Sequence, residues 1–181
     1  MLNDYRSLVP AILIQAACAA ADAPPDQAPS YDEIRNATVI GVHDEAVKLT
    51  DGRWEGEPYV PEGASRASVG IADDSYLTGD LDGDGTEEAV VVAWENSGGT
   101  GSYSFIAVFA YRDGAVVNLA TAMIGDRVRV RDRQLSDGAI ILSVTQHGPG
   151  DAACCPSQNA QRSWTMSSEG LTELESKIES Q

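Results

Sequence analysis

Hydrophobic positions along the chain form short runs or strict alternations, and turn signals separate them about every ten residues. Apolar runs of this length, and alternation of apolar with polar residues, are typical of β-strands. Asp-Gly pairs, as in "TDG", "RDG" and "SDG", are signals for tight hairpin turns between antiparallel strands. The pattern therefore predicts a mainly β, single antiparallel β-sheet domain, built as a meander, a sandwich or an open barrel.

Two runs are almost continuously apolar: "AVVVAWE" over residues 89–95 and "YSFIAVFAY" over residues 103–111. A strand that is covered on both faces has this pattern, so both are predicted to be central strands. The segment "DRVRVRDRQL" over residues 126–135 alternates instead. Alternation predicts Val128 and Val130 on one face of a strand and the arginines on the other.

The start of the chain has a different character. Residues 1–21 contain one arginine, a short apolar run and then small residues, which is the pattern of a secretory signal peptide. The apolar run is too short to span a bilayer. The "QAAC" sequence that ends at Cys18 resembles a bacterial lipobox, whose cysteine becomes lipidated. Cleavage after one of the alanines that follow, Ala19, Ala20 or Ala21, is the alternative.

After the signal peptide, residues 22–35 are rich in Ala, Pro and Asp, and they predict a flexible tether. One short helical turn is expected at its end, capped by Ser30 with Glu33 three residues later. Residues 36–181 then form the predicted single β-rich domain. These segments together predict a protein that is exported to the periplasm, anchored to a membrane as a lipoprotein, or held at the cell surface.

The net charge of the chain limits the classes of molecule that it can bind. Twelve basic residues oppose 28 acidic ones, so the formal net charge is −16 and the isoelectric point is near 4.2. Phosphate backbones and anionic lipid headgroups would repel such a chain. Nucleic acid is therefore excluded as a partner, and a membrane is expected only through the possible lipid anchor. An unknown ligand or envelope component remains.

The stretch "GDLDGDGTEEAVVVAW" crowds five acidic residues directly before an apolar run. Alternate residues of an extended strand point to opposite faces, but Gly83 and Gly85 favour a tightly curled backbone. A curled loop can aim its aspartates at one point, where their charges repel each other unless a cation lies between them. Oxygen-only ligands favour calcium over zinc, and a flexible loop favours it over magnesium. An acidic, solvated turn is the alternative.

The first six positions of this loop resemble an EF-hand, but the twelfth position is Val91 and not glutamate. The loop is more similar to the nine-residue D-x-D-x-D-G-x-x-(D/E) loops of integrin-type repeats and of many secreted bacterial proteins. That resemblance implies one bound calcium ion, with Glu87 pointing away and Asp73 or Asp74 as a further candidate ligand. The implied ligands are the side chains of Asp80, Asp82, Asp84 and Glu88 and the backbone carbonyl of Thr86.

The segment "HGPGDAACCPSQ" holds two adjacent cysteines, Cys154 and Cys155, whose Cα atoms must lie about 3.8 Å apart. A disulfide between them would be a strained ring, because ordinary disulfides need roughly 4.4–6.8 Å. An oxidising compartment favours that bond nonetheless. Two thiols, or a thiolate metal site with His147 as a third ligand, are the alternatives.

No catalytic set stands out in the sequence. There is no G-x-S-x-G motif, and spacing cannot select a carboxylate pair for glycoside hydrolysis. The stretch "NSGGTGSY" lacks the lysine of a P-loop and does not open a helix. It predicts a flexible hairpin loop at the opposite end of the sheet from the acidic loop.

Four segments, "KLTDGRWEGEPYVPEGASR", "YLTGDLDGDGTEEAVVVAWENSGGTGSY", "IGDRVRVRDRQLSDGAI" and "GPGDAACCPSQ", together resemble a family of uncharacterised bacterial exported proteins and lipoproteins. The resemblance covers roughly residues 36–165 and supplies no catalytic residue. The leading hypothesis is thus a non-enzymatic envelope or secreted protein with one structural calcium loop. A hydrolase of envelope polymers, and a thiol- or metal-handling protein centred on Cys154 and Cys155, are the alternatives.

Overall fold

The computed structural model describes residues 27–174 and 176–179. The predicted signal peptide with Cys18, and the beginning of the predicted tether, lie outside these residues. The described chain is mainly β with one short helix, which confirms the predicted fold class. Its elements are α1 (Tyr31–Ile34), β1 (Thr38–Val39), β2 (Val47–Lys48), β3 (Arg53–Glu55), β4 (Ser68–Ile71), β5 (Leu77–Gly79), β6 (Glu88–Asn96), β7 (Tyr103–Arg112), β8 (Ala115–Asp126), β9 (Arg129–Ser136), β10 (Ala139–Gln146), β11 (Gln158–Ser167), β12 (Gly170–Glu173) and β13 (Lys177–Ile178).

The strands form two open antiparallel sheets and a small ribbon. The first sheet has the order β3-β4-β6-β7-β8, and β5 also pairs with β6. The second sheet has the order β12-β11-β10-β9, and β13 also pairs with β11. Strands β1 and β2 pair only with each other among the described elements. Consecutive strands are mostly neighbours, which is the meander that the regular turn signals predict.

The Asp-Gly pairs make the tight turns that the sequence predicts. Both residues have positive φ at Asp51-Gly52 (50° and 82°), at Asp113-Gly114 (53° and 74°) and at Asp137-Gly138 (50° and 71°). Two consecutive residues with positive φ match the twist of an antiparallel hairpin. The second and third turns connect β7 to β8 and β9 to β10, with Arg112 opposite Ala115 and Ser136 opposite Ala139.

The central strands are covered on both faces, as their apolar runs predict. Six successive residues are buried in β6 and six in β7. One hydrophobic cluster, which includes Val90, Val92 and Ile106, packs against Leu142 and Trp164 of the second sheet. The two sheets therefore stack face to face as a sandwich.

The opposite face of the first sheet is covered by the N-terminal segment. Its cluster joins Val91 and Phe109 of the sheet to Ile34 of α1 and to Val39 and Leu49 around the ribbon. Helix α1 has the predicted capping box, in which the Glu33 backbone N–H donates to the Ser30 hydroxyl and the Ser30 backbone N–H donates to the Glu33 carboxylate. Ala28 is also buried. The packed domain thus begins before residue 36, within the residues predicted as tether.

Strand β9 differs from the predicted alternation. A β-bulge opposite Ser143 and Val144 adds Arg131 to the strand, because Ser143 pairs with Asp132 whereas Val144 pairs with Val130. The extra residue shifts the alternation, so Arg133 follows the half-buried pattern of Val130 and Leu135. The prediction that the arginines of this segment all lie away from the valines is therefore wrong for Arg133.

No helix among the described residues combines the length and the apolar character that crossing a bilayer requires.

Candidate metal centre

The acidic loop joins β5 to β6 as a hairpin. Gly79 at the end of β5 lies opposite Glu88 at the start of β6, so residues 80–87 form the connection. Leu81 is the buried residue of this connection, and it packs into the cluster between the two sheets. The loop is thus anchored in the sandwich core at Leu81, while the residues around it face solvent.

Backbone conformation and side-chain hydrogen bonds curl the loop. Gly83 and Gly85 have φ of 78° and 88°, a region that glycine adopts without steric cost. The Asp80 carboxylate accepts the backbone N–H groups of Gly83 at 2.7 Å and Gly85 at 3.1 Å. Asp82 accepts the N–H of Asp84 at 3.1 Å. These bonds close the loop around its own carboxylates, as the interleaved glycines predict.

Three carboxylates meet in the loop. Each of Asp80, Asp82 and Glu88 offers an oxygen, and these oxygens all lie within 4.8 Å of one another. Asp80 and Asp82 are exposed, whereas Glu88 is fully buried. Like charges at this spacing repel, and the repulsion is least screened at the buried member. A cation bound by the three oxygens would remove that repulsion.

Glu88 is the unusual member of the group. Its Oε2 atom accepts the backbone N–H of Leu81 at 2.9 Å, and its Oε1 atom has no hydrogen-bond partner among the described residues. Burial raises the pKa of Glu88, and the negative charges of Asp82, Asp84 and Asp80 raise it further, while the Leu81 N–H acts against both. A buried carboxylate oxygen without a partner is costly, because its hydration is not replaced. The atom fits the role of a ligand to a hard cation.

The other residues of the motif lie outside this group. The Asp84 carboxylate instead accepts the Thr86 N–H at 2.7 Å, and this bond, followed by one from the Thr86 side chain, lowers the pKa of Asp84. Glu87 is exposed, in keeping with the prediction that it points away. The described geometry therefore brings together three of the four predicted side chains.

Asp73 and Asp74, the further candidates, lie at the other end of β5. They belong to the turn at Ala72–Ser75, whose Ala72 N–H donates to Val92 in the middle of β6. Neither belongs to the three-carboxylate group. They precede the acidic loop closely in the sequence, which suggested that they could reach the ion, but β5 separates their turn from the loop.

The two adjacent cysteines are bonded to each other, and both are exposed. They lie in the connection between β10 and β11. Bonded sulfurs are not thiolates, so the disulfide does not offer the ligands that a thiolate metal site needs. Among the described residues, His147 does not form a ligand group with either cysteine.

Asp151 organises the cysteine-containing connection. Its carboxylate accepts the Gly148 N–H at 2.8 Å, the Ser157 N–H at 2.8 Å and the Ser157 hydroxyl at 2.7 Å. These bonds, that from Gly148 first, lower the pKa of Asp151. The sequence analysis missed this role; the signal was an aspartate within a turn-forming Gly-Pro-Gly-Asp segment, a position where aspartate side chains commonly bond to nearby backbone groups.

The fold and the loop define the molecule as an antiparallel β-sandwich with an acidic, glycine-containing hairpin loop at one end. Comparisons with protein-family models, with curated proteins and with solved structures find no match. The resemblance to exported bacterial proteins therefore stays a prediction, and the functional argument depends on the geometry of the chain itself.

Proposed function

We propose that this protein is an exported, non-enzymatic envelope or secreted protein that binds one calcium ion in its acidic loop. The observation that carries the proposal is the Oε1 atom of Glu88, which is buried, unpartnered within the described chain, and grouped with the Asp80 and Asp82 carboxylates. Three carboxylate oxygens on a curled loop match the ligand preference of calcium. Asp84 and the Thr86 carbonyl complete the proposed ligand set.

The proposed role of the ion is structural. Glu88 is the first residue of β6, and Leu81 packs between the sheets, so an ion at Glu88 would connect the loop to the central strand and to the core. Extracellular calcium modules bind with dissociation constants of about 10⁻⁴–10⁻³ M. At a hundredfold excess over the dissociation constant, binding adds about 2.7 kcal/mol to the free energy of unfolding. The bound ion would therefore stabilise the loop wherever the calcium concentration is well above the dissociation constant.

Two features support export. The sequence pattern of residues 1–21 is that of a signal peptide. The exposed bond between Cys154 and Cys155 fits an oxidising compartment outside the cytosol, where such bonds persist.

Mass spectrometry of the N-terminus of the mature protein tests whether the protein is exported and whether it is anchored to a membrane. A lipid-modified Cys18 supports anchoring, cleavage after Ala19, Ala20 or Ala21 supports secretion, and an intact residue 1–21 segment contradicts export.

Isothermal titration with calcium tests the metal site directly. The wild-type protein should bind one ion, and Asp82→Asn and Glu88→Gln should each weaken binding by at least about tenfold, which is 1.4 kcal/mol. Glu87→Gln is the matched control, since it removes one charge from an exposed neighbour in the same loop. Absence of calcium binding by the wild-type protein, or equal loss in all three variants, would show that the loop is only a solvated acidic turn.

A further inference from the structure

A cleft opens between the two sheets, away from the acidic loop. Its volume is about 280 Å³, and its walls come from both sheets, with Val92, Trp94 and Ser104 on one side and Val130 and Arg133 on the other. Trp94 is six residues along β6 from Glu88, which is roughly 20 Å at the rise of an extended strand. The cleft and the acidic loop are thus separate places on the same central strand.

Trp94 stands in a row of small residues on the first sheet. Gly70, Trp94, Ser104 and Gly125 lie opposite one another across β4, β6, β7 and β8. Trp94 is the one large side chain in this row of four, and its indole lies over Gly70, where an added Cβ would be 2.4 Å from the ring. The guanidinium carbon of Arg53, opposite Gly70 on β3, lies 5.5 Å from the centre of the indole. Trp94 is therefore the aromatic wall of the cleft and Ser104 lies on its floor, whereas Gly70 is covered by the indole and Gly125 by Val128.

The edge of the sheet is interrupted beside this floor. Between β4 and β5 the chain leaves the sheet at Ala72, and the buried Ser75 hydroxyl takes the place of a backbone partner. It accepts the Val92 N–H at 3.1 Å and donates to the Ala72 carbonyl at 2.7 Å. The same turn brings the exposed Asp73 to the cleft.

Two arginines line the cleft. Arg133 reaches it because the bulge at Arg131 shifts the alternation of β9, whereas the exposed Arg129 lines the cleft from the start of the same strand although it alternates with Val130. In the part of the chain that the structure describes, no carboxylate oxygen lies within 4.0 Å of either guanidinium group. Arg131 and Arg162, by contrast, pair with Glu179 and Glu173. On a chain of net charge −16, two such arginines at one cleft favour an anionic ligand.

We propose that this cleft binds an acidic monosaccharide of the hexuronate class. Arg129 and Arg133 would receive its carboxylate, and Trp94 would cover the apolar face of its ring. Asp73 and Ser104 would accept hydrogen bonds from its hydroxyl groups. The volume is close to the lower bound of small-molecule sites, which suits a single sugar ring and not a longer chain.

This inference deepens the proposed function, on which it rests, because it names the ligand that the exported protein would meet on envelope polymers. A hydroxyl-rich ring suits the polar members of the cleft, because Ser104, which donates to the Val128 carbonyl at 3.3 Å, and the exposed Asp73 can both accept hydrogen bonds from hydroxyl groups, which an aromatic acid does not offer. The site is built from Trp94 and the β9 arginines, so its occupancy does not require an ion at Glu88. The two proposals can therefore be tested in the same protein and fail separately.

Isothermal titration of the full chain with D-glucuronate tests the proposal, in millimolar calcium and again in chelator. Glucuronate should bind saturably in both conditions, and D-glucose and benzoate should bind at least about tenfold more weakly, or 1.4 kcal/mol. Arg133→Gln should weaken glucuronate binding by a similar factor. Arg131→Gln, on the same strand but paired with Glu179, should leave the affinity unchanged.

Several results would overturn the inference. Glucuronate that fails to bind at tens of millimolar, or that binds Arg133→Gln as well as wild type, would exclude the cleft as a hexuronate site. Benzoate that binds as tightly as glucuronate would overturn the sugar assignment. Arg129→Gln gives the same test if Arg133→Gln does not fold. Loss of glucuronate binding with intact calcium binding counts only against this inference, whereas the reverse result counts only against the calcium proposal.

Discussion

The carboxylate of Glu88 accepts the backbone N–H of Leu81 at 2.9 Å, and this bond connects the first residue of β6 to the buried residue of the acidic loop. Leu81 in turn packs between the two sheets. One oxygen of Glu88 therefore holds the loop to the core, while the other has no partner within the described chain. The same side chain therefore stabilises the loop through one oxygen and destabilises the fold through the other, which is buried without a partner; a bound cation would remove that destabilisation.

Glu88→Gln should separate these two roles. A neutral amide can still accept the Leu81 N–H, and it removes the buried charge that faces Asp80 and Asp82. In chelator the variant should therefore be more stable than the wild-type protein, by about 1–2 kcal/mol in the free energy of unfolding. Urea unfolding measures this. In saturating calcium the order should reverse, since only the wild-type protein gains binding free energy.

The control for this prediction is Glu87→Gln, which removes the same charge from an exposed position. Its stability should change by less than about 0.5 kcal/mol, and its response to calcium should match that of the wild type. If Glu88→Gln is less stable than wild type in chelator, the buried carboxylate is satisfied in a way that this geometry does not include, and the argument for a cation weakens.

Local sequence signals predict the mainly β, antiparallel fold class, but they leave open whether it is a meander, a sandwich or an open barrel. The Asp-Gly pairs specify positive φ at two residues, and the apolar runs of β6 and β7 specify coverage on both faces. Both signals depend only on residues close together in the sequence, so they can be recognised without knowing which strands pair or pack with each other. The N-terminal layer was not predicted, because Ile34 and Val39 lie on elements of two to four residues and Leu49 directly follows one, and elements this short have no readable period.

Register-level features could not be predicted from the sequence. The bulge that turns Arg133 toward the cleft depends on how β9 pairs with β10, and no residue type in "RVRDRQL" specifies it. Asp84 shows the same limit within the acidic loop. The motif implies a fourth ligand, but which oxygen faces the centre depends on the competing bond to Thr86.

The disulfide between Cys154 and Cys155 predicts the mass and the alkylation of the tryptic peptide that contains both cysteines. Because Cys154 and Cys155 are bonded to each other, a tryptic peptide that contains both should be two hydrogens lighter than its reduced form and should take up no alkylating reagent. After reduction it should take up two. Mass spectrometry of protein taken from its native compartment gives both values. Alkylation of the unreduced peptide would contradict the bond and revive the thiol alternative.

Tyr111 should titrate later than the other tyrosines. Its hydroxyl donates to the Glu33 carboxylate at 2.7 Å, and this bond raises the pKa of Tyr111 to about 12. The contribution of the bond to folding should be complete below the ordinary tyrosine pKa of about 10 and should be lost as the pH rises toward 12. Ultraviolet difference titration follows the phenolate directly.

Tyr111→Phe should remove the late component of that titration, and Glu33→Gln should shift it to lower pH without removing it. The six tyrosines of the chain make this comparison necessary, because Tyr31 and Tyr76 also have raised pKa values, both chiefly through burial. A late component that persists unchanged in Glu33→Gln would rule out Glu33 as its cause.

The contact between Gly70 and Trp94 gives the sharpest test of the packing around the cleft. Gly70 has no positive φ, so alanine suits its backbone and would by itself stabilise the protein by about 0.4–1 kcal/mol. The added Cβ would, however, lie 2.4 Å from the indole, and the ring or the strand must move. Gly70→Ala should therefore cost about 1–3 kcal/mol and shift the tryptophan emission. Gly99→Ala is the control, because Gly99 also has no positive φ and no atom within 4 Å of its added Cβ, so it should leave the emission unchanged and raise the free energy of unfolding by about 0.4–1 kcal/mol. A Gly70→Ala protein as stable as wild type would show that Trp94 does not lie over Gly70, and the aromatic wall of the cleft would have to be placed elsewhere.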